Sequence, residues 1–247
     1  MSASAPITDT TPMGNYIYQR VHGHLLVNIA GRSCVLDTGS PFSLGFYPIT
    51  IAGREFPVQE NYLGVTCEYL SREIGVTVEG LIGADIVRAF TLGIYPAEQM
   101  VQFQNKPPFG NIVLPIDNHL GVPIIKLEVN GKIISAFFDT GAPMSYLLPE
   151  ALEGLQSEGS HEDFYPLVGN FLTPVYQLPY NIGGEAGEMR FGRLPDELLG
   201  MLEVGGVQGI IGTELLKRFG LSLSVREHVL KLEPSYSTQS SQLRQVG

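Results

Sequence analysis

The chain writes one six-residue pattern twice: Val35-Leu36-Asp37-Thr38-Gly39-Ser40 and, 102 positions later, Phe137-Phe138-Asp139-Thr140-Gly141-Ala142. Each acid follows an apolar run and precedes Thr-Gly. A second block repeats without a gap at an offset of 129: Ile210-Ile211-Gly212 answers Leu81-Ile82-Gly83, and Phe219, Leu221, Leu230 and Leu232 answer Phe90, Leu92, Val101 and Phe103. Self-similarity of this extent is the mark of a duplicated fold. It predicts two units related by a pseudo-two-fold axis that brings Asp37 and Asp139 together.

The 247 residues suffice for two units, each with a hydrophobic core. The 29 Gly and 17 Pro among short apolar runs predict a mostly β chain. A formal charge of −10 argues against nucleic acid or an anionic membrane as a partner, because both select a basic footprint. Cys34 and Cys67 are the only cysteines, and Cys34 lies in the apolar run before Asp37. A buried small hydrophobe is expected there rather than half of a disulfide, which suits a reducing, cytoplasmic compartment. No apolar stretch approaches the roughly 18 residues of a membrane span, and the first 14 residues hold no signal-like apolar segment.

In chain order, residues 1–14 are expected to be a disordered leader and residues 15–104 a first lobe. Residues 105–110, with two prolines, form a linker, residues 111–234 a second lobe, and residues 235–247 a disordered tail. Hairpins turning at Ala30-Gly31-Arg32 and at Asn130-Gly131 deliver the two acids to the ends of buried strands. Val76-Thr77-Val78 is expected to run as a strand into Leu81, and residues 85–90 to form one or two helical turns. Residues 195–203 are expected to form an amphipathic packing helix with Pro195 in its first turn. The difference between the two offsets leaves 27 extra residues in the second unit, placed between about Leu152 and Tyr180. Two strands around a Gly169-Asn170 turn are expected there, forming a flap over the site that includes Tyr165, Val168, Gly169, Asn170 and Phe171.

Two apolar residues, Asp-Thr-Gly-Ser/Ala, then two apolar residues with Gly and a short helix: this order resembles the aspartic proteases of the pepsin and retroviral (retropepsin-like) type. The likeness spans Tyr16 to Glu233, as two retropepsin-like halves fused in one chain, which implies an active monomer. It implies an aspartic endopeptidase in which Asp37 and Asp139 are catalytic and activate a shared water, with no metal or cofactor. Thr38 and Thr140 would cross-link the acid loops, Gly39 and Gly141 would let the backbone turn sharply and offer N–H groups to the acids, and Ser40 and Ala142 would complete those loops. Gly83 and Gly212 would let backbones approach closely behind them. The implied partner is a peptide or protein substrate. The alternative is a catalytically silent protease-fold module that binds peptides or serves as a scaffold. In pepsin-like enzymes the flap belongs to the first unit and in retroviral dimers to both, whereas here it falls in the second.

Close carboxylates do not ionise together easily, so the pair is expected to hold one proton over a wide pH range. Only Asp37 has a neighbouring hydroxyl, Ser40, which would make Asp37 the more acidic member and leave the proton on Asp139. His22 and His24 are expected to share one strand face as ordinary half-exposed histidines, with metal binding the weaker option. His161-Glu162-Asp163 is expected to be a solvated loop.

Overall fold

The computed structural model describes residues 14–165 and 168–235. The expected disordered segments at residues 1–13 and 236–247 lie outside the described residues. Gly14, assigned above to the leader, already belongs to a strand.

The first half consists of β1 (Gly14–Val21), β2 (His24–Ile29), β3 (Arg32–Leu36), β4 (Leu44–Gly45), β5 (Ile49–Ile51), β6 (Arg54–Phe56), α1 (Cys67–Ile74), β7 (Gly80–Ile82), α2 (Ala84–Val87), β8 (Thr91–Tyr95) and β9 (Met100–Gln104). The second consists of β10 (Ile112–Pro115), β11 (Asp117–His119), β12 (Val122–Val129), β13 (Lys132–Phe138), β14 (Ser145–Leu147), β15 (Gly159–Tyr165), β16 (Gly169–Ile182), β17 (Glu185–Arg193), α3 (Leu199–Gly205), β18 (Gly209–Ile211), β19 (Phe219–Ser224) and β20 (Val229–Pro234). The molecule is mostly β, as its composition predicts.

Turn chemistry sets the hairpins. Ala30 and Gly31 have φ of +51° and +88°, and Asn130 and Gly131 have +49° and +76°. Two successive left-handed residues make the turn whose twist matches paired strands. Both hairpins aim an apolar strand, β3 or β13, at an acid. Each of these strands then pairs in parallel with a later one, β3 with β7 (Leu36 beside Ile82) and β13 with β18 (Phe138 beside Ile211). The strand after the acid loop returns on the far side of β7 or β18: Leu44 pairs with Leu81, and Tyr146 with Ile210.

The halves meet in a single ten-stranded sheet, ordered β10-β20-β19-β8-β9-β1-β2-β3-β7-β4. Across its centre Leu92 faces Leu223 and Ile94 faces Leu221. Adding the 129-residue offset to one member of each pair gives a residue of the other pair, so this ladder is itself two-fold symmetric. Beneath it, Phe90, Phe103, Phe219 and Leu230 are fully buried in one core drawn from both halves. Each such side chain contributes roughly 1.5–3 kcal/mol by leaving water, which ties the halves into one body. The second sheet, β11-β12-β13-β18-β14-β17-β16-β15, belongs to the second half.

Several local expectations change. Residues 76–78 form no strand, and the preceding segment forms α1, which sequence reasoning missed. Thr66 caps α1 by accepting from the Tyr69 amide, Gly75 closes it at φ +79°, and Cys67, Leu70 and Ile74 face inward. The helix expected at 195–203 begins as a 3-10 turn, Asp196–Leu198, and continues as α3, with Pro195 just ahead of it. Gly169-Asn170 is not the turn between β15 and β16. Tyr165 pairs with Gly169 and Phe164 with Asn170, so both turn candidates sit in the ladder. Pro166 and Leu167 lie outside the described residues.

Candidate active site

Asp37 and Asp139 lie at the ends of β3 and β13, where the parallel partner strand fixes each loop. The Asp37 amide donates to the Ile82 carbonyl at 3.0 Å and the Asp139 amide to that of Ile211 at 2.9 Å. Behind them, a Cβ on Gly83 would stand 2.7 Å from the Phe42 carbonyl, and one on Gly212 would fall on the carbonyls of Met144 and Ala142. These two glycines are therefore where backbones pass too closely for any side chain.

The threonines lock the loops to each other. Thr38 N donates to Thr140 Oγ1 and Thr140 N to Thr38 Oγ1, both at 3.0 Å. The hydroxyls donate onward, Thr38 to the Phe138 carbonyl at 2.7 Å and Thr140 to the Leu36 carbonyl at 2.9 Å. Both residues are fully buried. Four reciprocal bonds between loops from opposite halves fix the separation of the acids.

The carboxyl groups lie close enough to act on each other's protonation. Asp37 Oδ1 accepts from the amides of Gly39 and Ser40, both at 2.9 Å, and Asp139 Oδ1 from that of Gly141 at 2.7 Å. Neither Gly39 nor Gly141 has a left-handed φ, so backbone conformation is not what requires a glycine there. A Cβ on Gly39 would overlap the Asp139 carboxylate, and one on Gly141 that of Asp37. Each glycine makes room for the opposite acid.

Burial pushes both carboxyls upward. The charge of each carboxyl opposes ionisation of the other, so the pair shares one proton. The Ser40 hydroxyl, expected to favour the charged form of Asp37, instead turns away to the Phe42 carbonyl at 2.8 Å, leaving only its amide on Asp37.

The dyad opens into a cavity of about 490 Å³ lined by both halves, including Gly39, Ser40, Gly141 and Ala142. The β15–β16 hairpin hangs over it. Of the residues expected there, Tyr165, Val168 and Phe171 line the cavity, and Gly169 and Asn170 do not. The Tyr165 hydroxyl is held protonated by burial and by the charges of Asp139 and Asp37.

His161, Glu162 and Asp163 are not a solvated loop but part of β15, and Asp163 accepts a hydrogen bond from the Tyr146 hydroxyl. Burial, followed by the nearby Asp163 charge, raises the Tyr146 hydroxyl so that it remains a donor. His22 and His24 do not share a strand face: His22 sits in the β1–β2 turn at φ +49°, and His24 is buried beside the cavity. Burial pushes His24 down, against the pull of Asp163, so it is neutral near pH 7. No cluster of metal-ligating side chains occurs among the described residues.

Sequence reasoning missed Ser43 and Ser145. The Ser43 hydroxyl receives the Gly83 amide at 2.8 Å and the Ser145 hydroxyl receives that of Gly212 at 3.1 Å. The signal was present, because the two serines are also 102 residues apart.

No family model matches this chain, and no curated protein does. Among solved structures, the chain is similar to a retropepsin-like aspartic protease from Rickettsia conorii, with 21% identity over 51% of this chain and 94% of that one and a TM-score of 0.37. It is also similar to a foamy viral protease-reverse transcriptase in complex with an RNA/DNA hybrid, with 19% identity over 42% of this chain and 11% of that one and a TM-score of 0.29.

Proposed function

We propose that this protein is an aspartic endopeptidase made of two retropepsin-like units fused in one chain, with Asp37 and Asp139 as its catalytic dyad. One observation carries the proposal: two adjacent carboxyls, Asp139 buried and Asp37 partly buried, on loops held by reciprocal threonine bonds, in a cavity that both halves line. The ionised member of the dyad accepts a proton from a water between the acids as that water attacks the peptide carbonyl. The protonated member hydrogen-bonds the carbonyl oxygen, so nucleophile and electrophile are activated together. The proton gained by the dyad passes to the leaving amine as the carbon–nitrogen bond breaks. The β15–β16 hairpin acts as the flap, with Tyr165, Val168 and Phe171 closing over an extended substrate.

The units divide at residues 105–110, and because the dyad draws one acid from each, a single chain holds the complete site. Cys34 and Cys67 are buried and unpaired, and burial raises their thiols to about 12 and about 11. Two such thiols suit a reducing compartment such as the cytoplasm. No helix among the described residues is long and apolar enough to cross a membrane. The formal charge of −10 leaves nucleic acid and anionic membranes unfavoured as partners.

The test is a peptide-library digest from about pH 3 to about pH 8 with the wild type and Asp37→Asn. Cleavage is expected to fall by roughly two to four orders of magnitude in the variant, the usual worth of a positioned acid or base. Binding without cleavage by the wild type would favour a peptide-binding module instead.

A further inference from the structure

The two walls of the cavity are related by the repeat, so residues at equivalent positions can be compared directly. Val35 and Leu44 of the first half correspond to Phe137 and Tyr146 at the 102-residue offset, and Leu81 corresponds to Ile210 at 129. All six line the cavity. The second wall thus carries two aromatic rings where the first carries aliphatic side chains. Phe137 reaches α3, where a Cβ on Gly205 would overlap its ring, and Tyr146 is anchored through its hydroxyl to Asp163. Both rings are fixed, and they narrow the second-half wall where the first-half wall carries smaller side chains.

On the other side, the space left by the smaller residues is covered by Phe164 of β15. Its ring packs against the first-half cluster that contains Val35, Leu44, Leu70 and Leu81, with centroids 5.6 Å from His24 and 6.4 Å from Tyr69. The neighbouring Tyr165 packs instead with Val168 and Phe171 against the second-half cluster. Successive side chains of a strand point in opposite directions. One strand, hydrogen-bonded only into the second-half sheet, therefore seats an aromatic side chain on the first-half wall.

We propose that the first-half wall is the cleft's subsite for a large apolar side chain, that the second-half wall admits only a small one, and that Phe164 is the resting occupant of the large subsite, which substrate displaces. This rests on the peptidase reading for its direction of use, but the subsite itself is a matter of binding. The substrate class is an extended peptide with a large apolar and a small residue on opposite sides of the bond to be cut. The molecule blocks its own specificity site until such a side chain competes for it.

The experiment uses two peptides of identical composition whose central pair is Phe-Ala in one and Ala-Phe in the other. Cleavage by the full chain and binding to its Asp139→Asn variant are both measured. One order is expected to be favoured about tenfold or more, the discrimination that side-chain size in an apolar site supplies. Leu44→Tyr, which copies the second wall onto the first, should abolish the preference. Phe164→Ala should tighten binding of the favoured order several-fold and leave the other unchanged, and it keeps the test intact if Leu44→Tyr fails to fold. Equal use of both orders would overturn the proposal, as would weaker binding to Phe164→Ala, which would make Phe164 a wall of the subsite rather than its occupant. Order-dependent binding without cleavage would sustain the subsite and sink the peptidase reading. Neither binding nor cleavage would sink both.

Discussion

Thr140→Val isolates the contribution of the loop lock. The substitution keeps the shape of the side chain and removes only a hydroxyl, with two consequences: Thr38 N loses its 3.0 Å acceptor and the Leu36 carbonyl its 2.9 Å donor. Thr38 and Leu36 are fully buried, so water does not replace either partner. Leaving a buried polar group unpaired costs about 1–3 kcal/mol, so two such groups cost about 2–6 kcal/mol. For a chain of this size each kcal/mol lowers Tm by about 2–4 °C, which puts the expected drop at roughly 4–24 °C by differential scanning calorimetry. Thr140→Ser retains both bonds and loses one methyl group, about 0.8 kcal/mol. It should recover most of the loss. Ser40→Ala removes a hydroxyl that reaches only the Phe42 carbonyl near the surface, and should change stability by about 0.5 kcal/mol or less. Peptide cleavage should follow the same order, falling in kcat more than in KM, because the lock sets the position of the acids rather than the walls of the cavity. A Val variant melting within about 2 °C of wild type, or a Ser variant as impaired as the Val, would refute this reasoning.

Further outcomes follow from the same geometry. Gly141→Ala should abolish peptide cleavage while the chain still folds, since a Cβ there would collide with the Asp37 carboxylate; a normal turnover number in a peptide assay would count against the site. Asp139→Asn should be stabilised relative to wild type increasingly as pH rises. Folding raises both dyad carboxyls, so their contribution is complete below the ordinary carboxylate range and is lost as pH climbs through the raised values. A Tm difference that stays flat between about pH 4 and about pH 8 would contradict it. Glu214 behaves in the opposite sense: burial alone would raise it, but Lys217 at 2.7 Å and Arg190 at 2.8 Å together hold it below its ordinary value. Its stabilisation is present above the ordinary glutamate range and lost on acidification, so Glu214→Gln should lower Tm near neutral pH and lose that effect at acid pH in a melting series. Cys34 and Cys67, buried with raised thiols, should react with a maleimide only on unfolding; rapid labelling of the native chain would show that the α1 segment opens.

What the sequence revealed and what it hid divide along the pseudo-two-fold axis. At the axis, two copies of one side chain meet each other, so a symmetric contact demands the same residue twice. Thr38 and Thr140 satisfy each other's amides, and Gly39 and Gly141 admit each other's acids, so repetition alone exposed them. Ser43 and Ser145 obey the same rule one step out and were equally legible, had the 102-residue register been carried six residues beyond the acids. Away from the axis, equivalent positions meet different neighbours and the repeat stops informing. Asp37 and Asp139 are identical in type, yet the hydroxyl contact expected from Ser40 to Asp37 does not form, because a hydroxyl's direction depends on the local Phe42 carbonyl and not on sequence distance. The β15–β16 turn was placed too late because Gly169-Asn170 has turn composition, while the register is set by the 14-residue β16, whose other end is fixed by pairing with β17 and β12. Phe164 is the clearest case. Its neighbours His24 and Tyr69 lie about a hundred or more positions away in the other half, with no counterpart in the repeat. A symmetric dyad can cleave a bond without distinguishing its two sides, so any sense of direction in the cleft must come from residues that break the symmetry. Those are the residues for which duplication offers no template, and their roles are set by three-dimensional packing.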